Sequence, residues 1–361
     1  MLGRFVRDKY QQLPYELVSD EVKTELCKSS YVIANLESPI TNIKSTNSLA
    51  FAGDESLLEQ MKLINCFSLA NNHINDFGEQ GMVDTVAALE KHCFSYNGLF
   101  KKDYLPQVLE NGGNRIAVVM CTDILNHELE SHSPYHIFRA DSPQLNKTIT
   151  ELDKNGYFTI LYIHCGSLFS RYPNPQIRNL LHSSIDAGAK CIITAHSHCL
   201  GGEYVYKGAP IFWSLGDFLM DGGSYRRRRS CFLTLTIESN ELKEWKITPT
   251  ITTKDLEVVF PKEKEKQRII NGYNKVSKRL QKDRKDYTRF YKYSYKKEMV
   301  CHSLSTLHFL YDSKGPLGFL KMLKVRFSEV KRMLHRFVFD RSKIRYDADA
   351  VGSQLSNNDI K

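Results

Sequence analysis

The feature that most constrains this 361-residue chain is an event that recurs along it: an apolar, β-rich run stops, and side chains able to bind metal or carry protons follow at once. The runs are YVIANL (31–36), LINCFSLA (63–70), RIAVVMC (115–121), FTILYIH (158–164) and KCIITAH (190–196). Helical patterns separate them, as at 79–92, where Met82, Val83, Val86 and Leu89 recur at helical spacing. Short strands then crowd together at EYVYKG, APIFWSLGDF, CFLTLTI and LKEWKITPTI. The mixture predicts an α/β body with a mixed sheet or a pair of sheets, flanked by helices.

In open α/β folds, chemistry collects at the carboxyl ends of strands, where loops present side chains over a rigid sheet edge. Four runs end that way here, in Asn35-Leu36-Glu37, Asn71-Asn72-His73, His164-Cys165-Gly166 and His196-Ser197-His198. The second continues as FSLANNHINDFG (67–78) and crowds Asn71, Asn72, His73, Asn75 and Asp76 onto one turn. Singly, each cluster has a plainer explanation. A lone His is usually a satisfied core or surface residue, Asn-Asn suits a turn, and Glu37-Ser38-Pro39 reads as a surface turn. All four following strands, in a workable ligand order, point to one convergent site. Its mixed nitrogen and oxygen donors suit Mn, Fe or Zn rather than Ca, and a metal pair about 3.5–4 Å apart is a standard device for attacking phosphate esters. Among these donors only Glu37 offers a carboxylate that could bridge two cations.

Composition narrows the class. At 42% hydrophobic content the chain can bury a large core, and no apolar run approaches the roughly 20 residues of a membrane span. The start, MLGRFVRDKYQQLPYE, lacks the apolar segment of a secretory signal, so the chain as written is expected in the cytoplasm. Nine scattered cysteines, never spaced C-x-x-C, read as reduced core residues. The net charge of +9 is uneven: residues 262–346 hold 24 basic and 8 acidic side chains, +16, which leaves −7 for the rest. A mildly acidic body, 1–255, therefore precedes a basic, mainly helical extension, 256–361, with a disordered end.

The segments NLESP (35–39), SLANNHINDFG (68–78), IHCG (163–166), RYPNPQIRNLLHSSIDAGAKCIITAHSH (171–198) and EYVYKGAPIFWSLGDFLMD (203–221) together resemble the bacterial CapA family of capsule and poly-γ-glutamate synthesis proteins. That family's domain belongs to the calcineurin-like metallophosphoesterase superfamily, and the resemblance covers roughly residues 1–250. It implies a four-layer αββα sandwich with a dinuclear site at the strand ends. By the superfamily pattern, Glu37 is the bridging carboxylate. Asn72, His164 and His196 share one metal, and His198 binds the other. His73 is the non-ligand acid or transition-state stabiliser. Asp76 then either fixes the His73 tautomer or caps the helix before Glu79.

Two departures from that pattern are expected to matter. Relatives commonly carry Gly-Asp just before a stretch like Met1-Leu2-Gly3-Arg4, and that Asp is a ligand, so a ligand and part of a first strand are missing from the sequence as written. A Glu that often follows the family's His-Trp-Gly is replaced here by Ser167-Leu168 after His164-Cys165-Gly166. The expectation is a dinuclear site that holds about one metal in this chain, with the His198 side weak or empty and model esters hydrolysed poorly. Two classes of function stay open: a metal-dependent phosphoesterase-type hydrolase acting on a phosphorylated or polymeric envelope precursor, and a non-catalytic scaffold for envelope polymer synthesis.

In the extension, Leu323, Phe327, Val330, Leu334 and Phe337 step by threes and fours among Lys and Arg. This amphipathic stripe either packs on the body or lies on an anionic membrane surface. Arg226 to Arg229 form a second basic run, which reads as a solvated loop or a polyanion contact. Tyrosines 287, 291, 293 and 295 among lysines come without a nucleic-acid module, and no specific nucleic-acid partner is expected.

Overall fold

The computed structural model describes residues 2–304 apart from 4, 13–14, 45–49, 221–225, 283–284 and 302–303. The amphipathic stretch from Leu320 lies outside the described residues. The chain runs through α1 (Phe5–Gln12), α2 (Asp20–Leu26), β1 (Ile33–Asn35), a 3-10 turn (Glu55–Met61), β2 (Cys66–Ser68), α3 (Gly78–Lys91), β3 (Ser95–Asn97), β4 (Leu99–Phe100), β5 (Gln107–Asn111), β6 (Asn114–Thr122) and β7 (His136–Ile137). It continues with α4 (Gln144–Lys154), β8 (Phe158–His164), α5 (Pro175–Asp186), β9 (Cys191–Ala195), β10 (Leu200–Tyr206), β11 (Ala209–Leu215), β12 (Arg229–Glu238), β13 (Glu241–Thr252), β14 (Val258–Val259) and α6 (Glu263–Gln281).

Side-chain alternation builds the layers. Along β8, Phe158, Ile160 and Tyr162 face one core while Leu161 and Ile163 face another. On β6, Val118 and Met120 oppose Ala117, Val119 and Cys121 in the same way. Both strands are apolar on both faces because the sheet is covered on both sides. That sheet has six strands in the order β10-β11-β9-β8-β6-β5, parallel in the middle and antiparallel at each edge. One face packs with α4, α5 and α6. The other meets Cys66 of β2 and the apolar side of β12 and β13, among them Leu233, Leu235 and Ile247. Beyond the parallel sheet β1-β2-β3, helices α2 and α3 close a further core. The result is a mixed α/β sandwich of helices, two sheet layers and helices.

Local chemistry explains several boundaries. Asn174 Oδ1 accepts the Ile177 N–H at 2.8 Å and Pro175 opens α5, an N-terminal capping arrangement. α6 buries Ile269, Tyr273, Val276 and Leu280 at helical spacing. It lies so close to β10 that a Cβ on Gly202 would sit 2.7 Å from the Ser277 nitrogen. Tyr287 and Tyr291 donate to Pro173 O and Ser167 Oγ, so two of the clustered tyrosines hold the chain beyond α6 against the body. Five cysteines are buried as expected, but Cys27 and Cys93 are exposed. They follow the last turns of α2 and α3, where the chain reverses at the surface.

Register aligns the strand ends. Thr122 stands opposite His164, His164 opposite Ala195, and Asn35 opposite Ser68. The loops after β1, β2, β6, β8 and β9 therefore leave their sheets abreast. A cavity of about 1000 Å³ runs between the sheet layers, lined by Ile33, Val118, Ile160, Leu233 and Leu235, and reaches Glu37, His196, His198 and Asp217 at one end. β1 and β12 are both edge strands among the described residues, and both line it.

Candidate metal centre

The crowded turn after β2 divides its labour among five side chains. Asn71 ties loops together: its Nδ2 donates to Leu36 O at 2.9 Å and its Oδ1 accepts the His73 N–H at 3.1 Å. Asn75 Nδ2 donates to the carbonyls of His127 and Glu128, anchoring the loop after β6. Asn72 points its Oδ1 at His164 Nε2, 2.8 Å away. His73 Nδ1 lies 2.7 Å from Asp76 Oδ2, which also accepts the Phe51 N–H at 3.0 Å. Asp76 therefore orients His73, and the residue at the cap of α3 is Phe77. Phe51 stacks on the His73 ring at 3.9 Å and fixes its plane.

Around Asn72 the donors converge. His196 Nδ1 is 3.0 Å from His164 Nε2, and Glu37 Oε1 is 3.7 Å from that same nitrogen. Donors bound to one cation at about 2.0–2.2 Å and at angles of 90–110° stand roughly 2.9–3.6 Å apart, and the spacings of 2.8, 3.0 and 3.7 Å to His164 Nε2 lie within about 0.1 Å of that range, close enough for a shared ion. Glu37, His164 and His196 are all buried and can hold an ion together. Among the described residues Glu37 Oε1 has no hydrogen-bond partner, whereas Oε2 accepts from Asn35 Nδ2 at 3.1 Å. A buried carboxylate oxygen left bare costs free energy that a cation would recover. Burial, reinforced by the neighbouring imidazoles, drives both His164 and His196 well below the usual histidine range. They are therefore neutral and offer lone pairs.

His198 completes the group on the far side. Its Nε2 is 3.6 Å from Glu37 Oε1, so that oxygen lies within reach of both His164 and His198. Its Nδ1 is 2.8 Å from Asp217 Oδ1. Burial opposes charge on His198, but the Asp217 and Glu37 carboxylates outweigh it and raise the imidazole above its ordinary value. Burial likewise opposes charge on Asp217, yet His198 and Arg227 hold it below the usual carboxylate range. His196 and His198 both sit at positive φ, 96° and 52°, a conformation that costs non-glycine residues about 1–3 kcal/mol and tends to collect at functional sites. Gly166, at φ 96°, lets the loop after β8 pass over Trp213, where an added Cβ would meet the ring at 2.5 Å.

All seven residues singled out in the sequence are thus brought together: Glu37, Asn72, His73, Asp76, His164, His196 and His198. Two others were missed. Asp217 follows β11 in SLGDF, and the same strand-end rule would have found it. Asn126 follows β6, the one long apolar run whose end had drawn no attention. Its Oδ1 accepts from Asn72 Nδ2 at 2.9 Å and its Nδ2 is 3.2 Å from His73 Nδ1. By taking the amide nitrogen of Asn72, it leaves the amide oxygen facing the imidazoles.

With this geometry established, comparison with known proteins is decisive. The profile of the bacterial capsule synthesis protein family, PGA_cap, matches residues 1–222. The chain belongs to the PGA_cap family. The matched span contains all seven residues and Asp217. "PGA biosynthesis protein CapA" of Bacillus subtilis strain 168 is 29% identical over 264 residues, 69% of this chain and 68% of its own. "Capsule biosynthesis protein CapA" of Bacillus anthracis is 27% identical over 256 residues, 66% of this chain, and the match spans 62% of that relative's length. A solved structure of a hypothetical protein from Thermus thermophilus overlaps 65% of this chain and 96% of its own at a TM-score of 0.41 and 13% identity. No helix among the described residues is long and apolar enough to cross a membrane.

Proposed function

We propose that this chain is a metal-dependent phosphoesterase-type hydrolase serving capsule or poly-γ-glutamate synthesis, acting on a phosphorylated or polymeric envelope precursor. The observation that carries the reading is the convergence of Asn72, His164, His196 and a bare Glu37 oxygen at ligand spacings. A divalent cation such as Mn, Fe or Zn held there would supply Lewis-acid activation of water and of a phosphoryl oxygen. Glu37 turns the same oxygen toward His198, which would allow a second ion to share it. Among the described residues the His198 side has fewer donors than the Asn72 side, so the expected content is about one tightly held ion.

The remaining residues supply orientation and proton handling. With its Nδ1–H donated to Asp76, His73 keeps Nε2 for exchange of a proton with the leaving or attacking oxygen. Phe51 stacks on that ring and Asp76 anchors its Nδ1, so its position does not depend on bound substrate. The poorer donor set around His198 favours a second reading, a scaffold that keeps the fold without turnover. Metal analysis of the full chain, followed by assays on a generic phosphomonoester and phosphodiester, separates the two. Metal-dependent turnover that is lost in His73→Ala supports the hydrolase. Bound metal without turnover on either ester supports the scaffold.

A further inference from the structure

The arginine run at 226–229 does not behave as one patch. Arg226 Nη2 donates to Glu298 Oε2 at 2.9 Å, and Arg229 Nε donates to Glu265 Oε1 at 2.6 Å. Glu265 belongs to α6, and Glu298 lies in the helical stretch at 287–301. The Arg228 carbonyl accepts the Thr252 N–H at 2.9 Å, and the Arg229 N–H closes the turn on Arg226 O. Four hydrogen bonds thus fix the turn on both sides of Arg227.

Arg227 itself is turned toward the site and is under-used. Its Nε is buried without a hydrogen-bond partner among the described residues and stands 4.0 Å from Asp217 Oδ2. Its Nη2 rests on Met220 Sδ at 2.9 Å, and a thioether is a weak acceptor. The guanidinium lies 5.5 Å from the centroid of Phe169, whose ring neighbours that of His198. Asp217 Oδ2 also lacks a hydrogen bond among the described residues, so the two charges face each other across a gap that no shared hydrogen closes. A guanidinium built only to neutralise Asp217 would close that gap. One held rigidly beside a catalytic site with donors unspent is arranged for a planar oxyanion.

We propose that Arg227 is the anion-recognition residue of this site, taking a phosphoryl or carboxylate oxyanion of the substrate on the His198 side. It rests on the hydrolase reading for the word substrate alone, because the binding itself needs neither metal nor turnover. The turn is preorganised by Glu265 and Glu298, so the segment beyond residue 255 contributes to ligand affinity without touching the ligand.

The test is calorimetric titration of the full chain, metal-free and metal-loaded, with inorganic phosphate and separately with glutarate; whichever binds tighter identifies the oxyanion. Arg227→Gln is expected to weaken the tighter probe about tenfold in both forms while leaving metal stoichiometry and the thermal midpoint unchanged. Arg227→Lys, which keeps the charge but not the fork, is expected to lose about threefold, and Glu298→Gln to lose a similar amount by loosening the turn. Wild-type affinity in Arg227→Gln overturns the proposal, as does failure of the wild-type metal-free chain to bind either probe. Loss of metal in Arg227→Gln with unchanged anion affinity also overturns it, since Arg227 would then act only on Asp217. If Arg227→Gln does not fold, wild-type affinity in Arg227→Lys and Glu298→Gln rejects the idea by itself. Absence of ester turnover, with phosphate binding still dependent on Arg227, would count against the hydrolase reading and leave this assignment standing.

Discussion

His198 Nδ1 stands 2.8 Å from Asp217 Oδ1, so the imidazole that turns its other nitrogen toward Glu37 is held from behind by a carboxylate. Carboxylates in this relation fix the tautomer and plane of a metal-binding histidine, and losing one typically weakens the metal about 10–100-fold. At excess metal, Asp217→Asn should therefore weaken the second, looser binding event expected on the His198 side by about that factor and leave the tight binding expected at Asn72, His164 and His196 unchanged. Competitive chelator titration resolves the two sides. Equal loss at both, or at neither, would show that Asp217 does not support His198 in this way.

The His73–Asp76 pair makes a different prediction, because neither residue offers an atom to the cluster of Glu37, His164 and His196. Removing the imidazole in His73→Ala should cost about 10²–10⁴ in kcat and leave metal content unchanged. Asp76→Ala should cost less, since Phe51 still stacks on the ring and Asn126 still lies beside it. Steady-state kinetics with parallel metal analysis checks both. A drop in metal content in His73→Ala would mean that His73 is itself a ligand rather than a proton carrier.

One pH effect lies away from the site. Burial, with Arg178 nearby, lowers His182 from its ordinary value of 6.5 to about 4, and the ring stacks on Tyr206 at 3.8 Å. The unfolded chain takes up this proton near 6.5 and the folded one only near 4. The unfolded state therefore binds more protons in that window, and stability falls as pH drops through it. Because solvent reaches about half the group, the effect should be roughly 1 kcal/mol rather than the full value of the shift. Denaturant unfolding of His182→Phe, which keeps the stack, should show a shallower loss of stability between pH 6.5 and 4 than the parent chain. Identical slopes would rule out His182 as a contributor.

The layered fold and the polar strand ends were legible because both are local signals. Short, β-branched two-sided apolar runs such as 115–121 and 158–164 read as covered strands, and Glu37, Asn72, His164 and His196 each stand at or within two residues of the end of such a run. What was not legible depends on register and on long-range approach. Nothing near Asn126 announces that its amide will meet Asn72, 54 residues earlier. Nothing in the 226–229 run tells which arginine will find Glu298, which Glu265, and which neither. Asp76 faces His73 rather than capping α3, and its carboxylate is held there also by the Phe51 N–H, which arrives from a loop 25 residues away. Charge contrast marked the segment beyond residue 255 as distinct, yet α6 is seated on β10 through apolar packing and through hydrogen bonds from the Glu203 and Val205 N–H groups to Ser277 and Gln281, which a charge count cannot register.

Whether Glu37, Asn72, His164 and His196 form a divalent metal site is tested most directly by titrating Mn(II) into the metal-free 361-residue chain and into its Glu37→Gln and His164→Ala variants. Circular dichroism confirms that each is folded. The expected result is about one tightly bound ion in the parent chain and affinity roughly 100-fold weaker or worse in both variants, with turnover of a phosphodiester falling in step with occupancy. Folded variants that bind Mn(II) as tightly as the parent chain would contradict the assignment of these four residues as ligands.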